Sequence, residues 1–476
     1  MPRRIKPLDV YRLLPKLNCG KCGEPTCMVF ATKLIERQTT LDKCRPLFED
    51  PRFRENLRKL MELLRPPVKE VTIGVEPNAV KVGGKDVVYR HEWTWRNPTA
   101  IALDVHDGMG DEEVERRIKF VNEWFYERIE KRLGIDLLAV RCVSGSAERF
   151  VKFVEKVCKL TSKPLIVCTL DPATLEEVLK RIGSRRPLIY AATERNWREF
   201  ADLAVKWSCP LVVSAPNDLS KLKSLVVSIV KNFGYEELVL DPGTLVSNGG
   251  FLDTISNFTA LRYSAIEFGE REVGFPLMAI PATVWIFESG GTEELEFREA
   301  IIACSLVARY ADILVMHSLS PWVYMAVLCL RDCLYTDPRV PPSVKPGLYE
   351  VGKPTPESPL VVTCNYALTV SLVRGDLEKS GIDAWLLVID TEGTSVASAV
   401  AGKRFTADKI AEAVKELKLE EKVKHRSLVI PGYAAKIAGE LEDLLPGWRV
   451  FVGPRESSDL PKFIREIWSK EVLGKA

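Results

Sequence analysis

The stretch that decides the fold lies between residues 100 and 319, and it opens with the apolar run AIALDV (100–105). Similar runs follow: DLLAVRC (136–142), PLIVCTL (164–170), PLIYAAT (187–193), PLVVSA (210–215), LVLDPG (238–243), AIPATVW (279–285) and ILVMHSL (313–319). Such near-continuous apolar runs are typical of strands covered on both faces. Amphipathic helical patterns separate them, among them residues 112–133, 173–182 and 196–207. Eight strand–helix units over about 220 residues predict a TIM (β/α)8 barrel, which we place at residues 90–325.

Polar side chains stand where these predicted strands end, the position at which barrels carry active sites. They are Asp104, Asp107, Ser144, Asp171, Thr193, Asn196, Asn217, Asp218, Asp241 and His317. Asp before a helix is also a common N-cap, and we interpret Asp171 and Asp218 in that way. The sequence leaves both interpretations open for the others.

Beyond the barrel, a Pro-rich segment at residues 326–358 is interpreted as a linker. Residues 359–476 then alternate apolar runs with helical patterns again, as in LVVTCNYALTV (360–370) and TADKIAEAVKELKL (406–419). This pattern predicts a doubly wound α/β domain.

Three turns of this domain follow predicted strands: residues 390–395, Pro431-Gly432 and residues 453–458. Open α/β sheets bind ligands at that edge, and glycine turns before helices offer backbone N–H groups to a phosphate. Small residues after the first turn leave room for a large flat ligand. Neither a GxGxxG nor a Walker sequence is present, so NAD and ATP are disfavoured. Plain structural turns remain the alternative.

At the other end of the chain, residues 17–46 hold four cysteines, Cys19, Cys22, Cys27 and Cys44, in the spacing C-x2-C-x4-C-x16-C. Four thiolates bind zinc or an iron–sulfur cube. Three cysteines in one tight run, with Gly20 and Gly23 beside them, favour the cube, because the backbone must curl around a bulky cluster. We predict a [4Fe-4S] module at residues 1–65, with structural zinc as the alternative.

The composition and net charge of the chain disfavour nucleic-acid-binding and membrane proteins. The 476 residues are 46% hydrophobic and carry a formal net charge of +2, which gives no support to nucleic-acid binding. No apolar stretch of membrane-spanning length and no signal-peptide pattern is seen, so we expect a cytoplasmic protein that neither spans nor binds a membrane.

The assembled chain resembles the large subunit of the corrinoid/iron–sulfur protein, most closely its archaeal form, the gamma subunit of the acetyl-CoA decarbonylase/synthase complex. The resemblance rests on the cysteine module, the barrel and several segments in order. These segments are residues 334–352 (LYTDPRVPPSVKPGLYEVG), 361–370 (VVTCNYALTV), 386–402 (LLVIDTEGTSVASAVAG), 428–443 (LVIPGYAAKIAGELED) and 451–461 (FVGPRESSDLP). It covers nearly the whole chain.

The resemblance implies a methyltransferase function within a complex. A methyl group would pass from a methyl-tetrahydropterin, of the tetrahydrosarcinapterin or tetrahydromethanopterin type, to Co(I) of a corrinoid. It would then pass to the nickel–iron–sulfur site of the acetyl-CoA synthase subunit, while the [4Fe-4S] cluster returns Co(II) to Co(I). The implied partner is a smaller, delta-type subunit that forms a heterodimer with this chain.

The resemblance also implies site residues. Cys19, Cys22, Cys27 and Cys44 would hold the cluster. The corrinoid would be bound by Asn365, Tyr366, Thr369, Thr391, Glu392, Gly393, Thr394, Ser395, Val396, Gly432, Gly453, Pro454, Arg455, Glu456 and Ser457. The cobalt would be base-off, without a protein histidine, which agrees with the imperfect match of residues 104–109 (DVHDGM) to a DxHxxG cobalt-ligand loop.

Two other functions stay open at this point. One is a barrel that itself binds a pterin, with a purely structural cluster. The other is an iron–sulfur oxidoreductase that uses a nucleotide in the C-terminal domain.

Overall fold

The computed structural model describes residues 5–247 and 249–474, with the side chain of Leu473 left out. The chain forms two compact units. The first comprises the residues up to Phe125 together with Gly134–Thr336, and the second comprises Tyr126–Leu133 and the residues from Asp337 onward. The finer division predicted from the sequence stays a prediction.

The first unit contains a closed barrel of parallel strands. In chain order these are Ala100–His106, Leu137–Arg141, Leu165–Cys168, Leu188–Ala192, Leu211–Ser214, Leu238–Asp241, Met278–Ala279 and Ile313–Met316. Each pairs with the next, except that the sixth and seventh are joined only by a parallel bridge between Leu240 and Leu277; the last pairs with the first, so the ring is closed. The predicted TIM barrel is therefore confirmed.

Helices cover the outside of the barrel because each carries an apolar stripe toward the strands. The main ones are Asp111–Glu123, Ala147–Leu160, Pro172–Ile182, Trp197–Trp207, Leu219–Phe233, Gly250–Ile266, Thr292–Ala308 and Pro321–Tyr335, with a short helix at Val284–Phe287. Asp171 and Asp218 cap two of them, accepting hydrogen bonds from the backbone N–H groups of Thr174 (2.8 Å) and Lys221 (2.9 Å). Both predicted caps are confirmed.

Two sequence expectations for the barrel are wrong in detail. The helix expected over residues 112–133 ends at Glu123, and an antiparallel hairpin follows, with strands Phe125–Arg128 and Lys131–Gly134. Its turn places Ile129 and Glu130 at positive φ, 47° and 61°. Residues Tyr126–Leu133 pack in the second unit, and this tertiary packing overrides their helical propensity. The strand expected over residues 279–285 is reduced to Met278–Ala279, because Pro281 begins a 3-10 turn.

A β-hairpin closes the amino-terminal end of the barrel. Strands Glu70–Ile73 and Val80–Gly83 pair antiparallel, and Val71, Ile73 and Val82 share one buried cluster with the barrel strands. Nearby, the Asp312 carboxylate lies between Lys85 and Arg262, and all three side chains are fully buried.

The N-terminal module consists of helices Pro7–Leu13, Cys27–Ile35, Arg45–Glu49 and Arg54–Leu63. Its small core contains Val10, Phe30, Leu34, Leu47 and Leu60. Ion pairs join it to the rest of the first unit, including Arg37 with Asp86 (2.6 Å) and Arg65 with Glu236 (2.9 Å).

The second unit is built on a five-stranded mixed sheet in the order Gly347–Val351, Ala384–Ile389, Leu360–Cys364, Ser427–Ile430 and Arg449–Val452. Only the first of these, which lies within the Pro-rich segment, runs antiparallel to its neighbour. Helices pack on both faces: Ala367–Lys379, Val396–Ala401, Ala407–Glu416, Leu419–Lys422, Ala438–Leu444, Leu460–Phe463 and Ser469–Leu473. The predicted α/β domain is confirmed. Within the described ranges, no helix is long and apolar enough to cross a membrane.

Candidate functional site

The cysteine motif forms a loop that leads into a helix N-terminus. Cys27 is the first residue of helix Cys27–Ile35, and the Thr26 side chain caps that helix by accepting from the backbone N–H of Val29. The Asn18 side chain accepts a hydrogen bond from the Cys27 N–H at 2.8 Å. Gly20 and Gly23 have φ of +69° and +86°, values that favour glycine. These two glycines therefore allow the tight turns of this loop.

All four cysteines line one small cavity, together with Pro15, Leu17, Phe30 and neighbouring residues. Cys19 is exposed, Cys22 and Cys27 are half-buried, and Cys44 is buried. Burial raises the pKa of the Cys44 thiol, and the nearby thiols of Cys22, Cys27 and Cys19 add to that rise. The remote fourth cysteine thus lies within electrostatic reach of the other three.

This donor set suits an iron–sulfur cluster in its chemistry, because four thiols face one space and a helix begins beside them. Among residues 5–247 and 249–474, no three His, Cys, Asp or Glu side chains lie close enough to hold a single metal ion.

The second candidate site is a cleft in the C-terminal sheet. The chain proceeds from the central strand Leu360–Cys364 to one neighbour, Ala384–Ile389, and then crosses to the other side, Ser427–Ile430. Ligands of open α/β sheets bind at such a switch point. In the described register, Leu360–Cys364 and Ser427–Ile430 pair only at Leu360–Leu428 and Val361–Val429. The carboxyl ends of these two strands therefore leave a cleft.

Several elements wall this cleft, and its cavity has a volume of about 290 Å³. They are the central strand, helix Ala367–Lys379, the start of helix Val396–Ala401 with the turn before it, strand Ser427–Ile430 with the turn after it, the loop after strand Arg449–Val452, and helix Leu460–Phe463. The predicted residues that line it are Thr369, Ser395, Val396, Gly453, Pro454, Arg455, Glu456 and Ser457. The guanidinium of Arg455 lies 5.6 Å from the ring centre of Tyr433, so the rim carries an aromatic ring and a charge.

The other predicted residues do not line the cavity; several of them build the turn beside it. The Asn365 side-chain oxygen Oδ1 accepts hydrogen bonds from the N–H groups of Thr391 and Gly393, both at 3.0 Å, and from the Thr391 hydroxyl at 2.9 Å. The Thr394 hydroxyl donates to the Thr391 carbonyl at 2.7 Å. Glu392 has φ of 57° and its carboxylate pairs with Arg404 at 3.0 Å.

Two more predicted residues, Tyr366 and Gly432, make backbone contacts next to the cleft. Tyr366 forms an antiparallel bridge with Ser343. The Gly432 N–H donates to the Pro454 carbonyl at 2.9 Å, which ties two loops of the cleft together. Contact of these residues with a ligand stays a prediction.

Sequence reasoning missed several lining residues, including Thr363, Leu372, Tyr433 and Leu460. Thr363 and Leu372 sit inside a strand and a helix, where the pattern gives only a structural signal. Leu372 and Tyr433 are 53% and 44% exposed, so their apolar surface faces outward at the rim.

Polar side chains also converge at the carboxyl end of the barrel. Asp104 lies 2.7 Å from His317 Nδ1 and 2.7 Å from an Arg141 nitrogen. Burial alone would raise the pKa of Asp104, but its hydrogen bond with His317 and the nearby positive charges lower it below the ordinary value. Asp241 accepts from the Tyr190 hydroxyl at 2.8 Å, and burial raises the pKa of this carboxyl. The pKa values of the Asp104 and Asp241 carboxyl groups are thus shifted in opposite directions.

Comparison with known proteins covers both units. A family model described as "CO dehydrogenase/acetyl-CoA synthase delta subunit" matches residues 70–464, and one described as "Putative Fe-S cluster" matches residues 14–46. The acetyl-CoA decarbonylase/synthase complex subunit gamma of Methanothermobacter thermautotrophicus is 44% identical, over 98% of this chain and all of that protein. The subunit gamma of Archaeoglobus fulgidus is 41% identical, over 97% and 98%. That of Methanocaldococcus jannaschii is 39% identical, over 99% and 98%.

Solved structures are more distant. A dihydropteroate synthase of Xanthomonas albilineans with 4-aminobenzoic acid has a TM-score of 0.41 and 14% identity, over 57% of this chain and 100% of that one. A dihydropteroate synthase of Thermus thermophilus in complex with 6HMPPP has a TM-score of 0.38 and 18% identity, over 56% and 100%. The sequence relatives decide the family: this chain belongs to the gamma subunits of the acetyl-CoA decarbonylase/synthase complex, the large subunits of the corrinoid/iron–sulfur protein.

Proposed function

We propose that this chain carries a methyl group on a corrinoid bound in the C-terminal cleft, as a methyltransferase subunit of an acetyl-CoA decarbonylase/synthase complex. The observation that carries the proposal is the cleft at the switch point of the C-terminal sheet. Its apolar floor, aromatic rim and glycine turns suit a large flat cofactor with a nucleotide tail.

The cleft residues would bind and orient the cofactor. Buried Val361, Val429 and Leu460 exclude water from its floor, while Tyr433 and Arg455 stand at the rim. A bound corrinoid supplies a nucleophilic cobalt that accepts and gives up a methyl group. We propose a methyl-tetrahydropterin as donor, and the nickel–iron–sulfur site of the acetyl-CoA synthase subunit as acceptor.

The cysteine module would hold one [4Fe-4S] cluster on Cys19, Cys22, Cys27 and Cys44. Such a cluster supplies low-potential electrons that keep the cobalt reduced. Cys44 is buried and Cys19 is exposed, so one side of the cavity faces the module core and the other faces outward. We further propose a delta-type subunit as the partner of this chain, and a cytoplasmic location.

Metal analysis of anaerobically purified protein tests the proposal. We expect about four iron atoms and one cobalt atom per chain, and an absorption spectrum of a base-off corrinoid. Cys27→Ala should lose iron and keep cobalt, whereas the control Cys304→Ala, on barrel helix Thr292–Ala308, should keep both.

Other outcomes contradict defined parts of the proposal. Zinc in place of iron would make the cysteine module a structural zinc site. Failure of the full chain to take up any corrinoid, with iron present, would favour an iron–sulfur oxidoreductase. Binding of a methyl-pterin without any corrinoid would favour a pterin-binding barrel.

A further inference from the structure

The hairpin that follows helix Asp111–Glu123 belongs to the second unit, although the chain before and after it belongs to the first. The second unit comprises residues Tyr126–Leu133 together with the residues from Asp337 onward. The chain therefore passes between the two units three times, at residues 125–126, 133–134 and 336–337. Because the linker accounts only for the last of these passages, the hairpin is a second point at which the C-terminal residues are held.

The hairpin is poorly suited to keep its conformation alone. A two-stranded hairpin is only marginally stable in water. Its turn residues, Ile129 and Glu130, have φ of 47° and 61°, in a region that a β-branched residue such as isoleucine avoids. Leu133, on its second strand, is nevertheless buried. Contacts within the second unit therefore stabilise the hairpin in this conformation.

An ion pair connects the tip of the hairpin to the C-terminal sheet domain. A Glu130 carboxylate oxygen lies 2.5 Å from Arg374 Nη1, and Arg374 belongs to helix Ala367–Lys379. The Glu130 and Arg374 side chains are 11% and 20% exposed, so water screens this pair less than an ordinary surface pair. The same guanidinium lies 5.7 Å from the ring centre of Tyr349, on the edge strand Gly347–Val351. Arg374 therefore joins the hairpin tip to a helix and to the edge of the sheet.

The charge of Arg374 depends on the hairpin tip for its counter-charge. Its Nη1 donates a charge-assisted hydrogen bond to Glu130, and such bonds are stronger than neutral ones. The Arg374 Nε atom is buried without a hydrogen-bond partner among the described residues. Removal of Glu130 would therefore leave a poorly hydrated cation in a partly buried position, which is unfavourable. The hairpin tip thus supplies a carboxylate that this surface of the second unit needs.

We propose that residues 126–133 form a strap that holds the C-terminal unit, and that the Glu130–Arg374 ion pair is the lock of this strap. With the lock closed, the unit is held at the strap and at the linker. With the lock open, the strap leaves the C-terminal sheet and the unit moves on the linker alone. Because the lock is a single ion pair, it opens without loss of any strand of the sheet. The strap requires neither the corrinoid nor the cluster, so the inference does not rest on the proposed function.

Hydrogen–deuterium exchange of the full chain, purified anaerobically with its cofactors, tests the lock. Arg374→Met removes the cation and keeps an apolar stem, and Glu130→Gln removes the negative charge from the strap. We expect each substitution to raise the exchange rate of the amides in residues 126–133 about tenfold, which corresponds to about 1.4 kcal/mol. The double variant should show no larger increase than either single variant, because all three remove the same interaction.

X-ray scattering separates release of the strap from local unfolding of the hairpin. Ile129→Asn combined with Glu130→Gly gives a turn that accepts positive φ, so the hairpin itself becomes more stable while the lock is lost. For this variant we expect slow exchange in the hairpin strands, together with the same increase in radius of gyration as for Arg374→Met. The control Arg449→Met breaks the pair Arg449–Glu471 of the same unit (2.5 Å, side chains 55% and 49% exposed) and should change neither measurement.

Three outcomes would overturn the inference. Unchanged exchange in both Arg374→Met and Glu130→Gln would show that the ion pair does not hold the strap. Faster exchange of residues 126–133 with an unchanged radius of gyration would show that the strap does not restrain the unit. An equal effect of Arg449→Met would show a general response to the loss of a surface charge. If Arg374→Met does not fold, Glu130→Gln provides the same comparison from the side of the strap.

Discussion

Substitution of Gly432 by alanine should disturb the cleft, because there is no space for a Cβ atom at this position. A Cβ atom on Gly432 would lie 2.8 Å from the Gly453 carbonyl oxygen and 2.9 Å from both the Arg455 nitrogen and the Pro454 carbonyl carbon. All three are backbone atoms, so no flexible side chain can yield. In Gly432→Ala the loop at residues 453–455 must retreat by about 0.5 Å to restore ordinary contact, and overpacking of this kind costs about 1–3 kcal/mol.

That displacement should also weaken corrinoid binding, because Gly453, Pro454 and Arg455 line the cavity. We expect Gly432→Ala to lower the free energy of unfolding of the C-terminal unit by about 1–3 kcal/mol and to raise the corrinoid dissociation constant about tenfold. Chemical denaturation and anaerobic corrinoid titration measure the two effects.

Gly439 provides a matched control. It lies on helix Ala438–Leu444, and a Cβ atom there would meet nothing within 4 Å. Gly439→Ala should stabilise the protein by about 0.5–1 kcal/mol through helix propensity and leave corrinoid affinity unchanged. The steric reasoning fails if Gly432→Ala matches the wild type in both stability and affinity, or if the two alanine variants behave alike.

Three further predictions concern other parts of the molecule. Cys27→Ala should abolish reductive reactivation but spare methyl transfer from pre-reduced protein; equal loss of both in stopped-flow assays would contradict that division. Asp312→Asn should destabilise the barrel by about 3–5 kcal/mol in denaturant titrations, because Lys85 and Arg262 would be left buried without a counter-charge; a loss below about 1 kcal/mol would show that the two cations are solvated or neutral. Hydrogen bonds at a helix N-terminus lower the pKa of Asp171. The contribution of this carboxylate to the free energy of unfolding should therefore be complete above about pH 4 and vanish as the pH falls through its lowered folded-state pKa. The stability difference between wild type and Asp171→Ala, about 1 kcal/mol at neutral pH, should therefore shrink in acid, and a pH-independent difference would argue against the carboxylate as the cap.

The barrel was predictable because its strands are buried on both faces and read as apolar runs between helical patterns. The hairpin after Glu123 was not, because residues 125–134 keep helical periodicity and their turn lacks glycine: Ile129 and Glu130 occupy positive φ. Only contacts made by residues far away in sequence determine that conformation.

The residues of the candidate sites also differ in how far the sequence could predict them. Three of the four cysteines lie in one tight run, and the sequence predicted a common site for them and Cys44; all four line one cavity. In the cleft, the glycine turns could be recognised from the sequence. Thr363 could not be recognised as a lining residue, because β-branched residues are common in strands. Asn365 resembles a ligand contact in sequence, yet its side chain holds the turn at residues 391–393.

The unequal burial of the four thiols has a consequence for electron entry. A cluster held there would turn its Cys19 corner toward water and its Cys44 corner toward the helices of the module. Since electron tunnelling favours the shortest path, an external donor would dock over Cys19, where Lys21 adds positive charge to the approach. An anionic reductant that approaches over Cys19 would be attracted by this charge, so the rate of its reaction would fall as ionic strength rises.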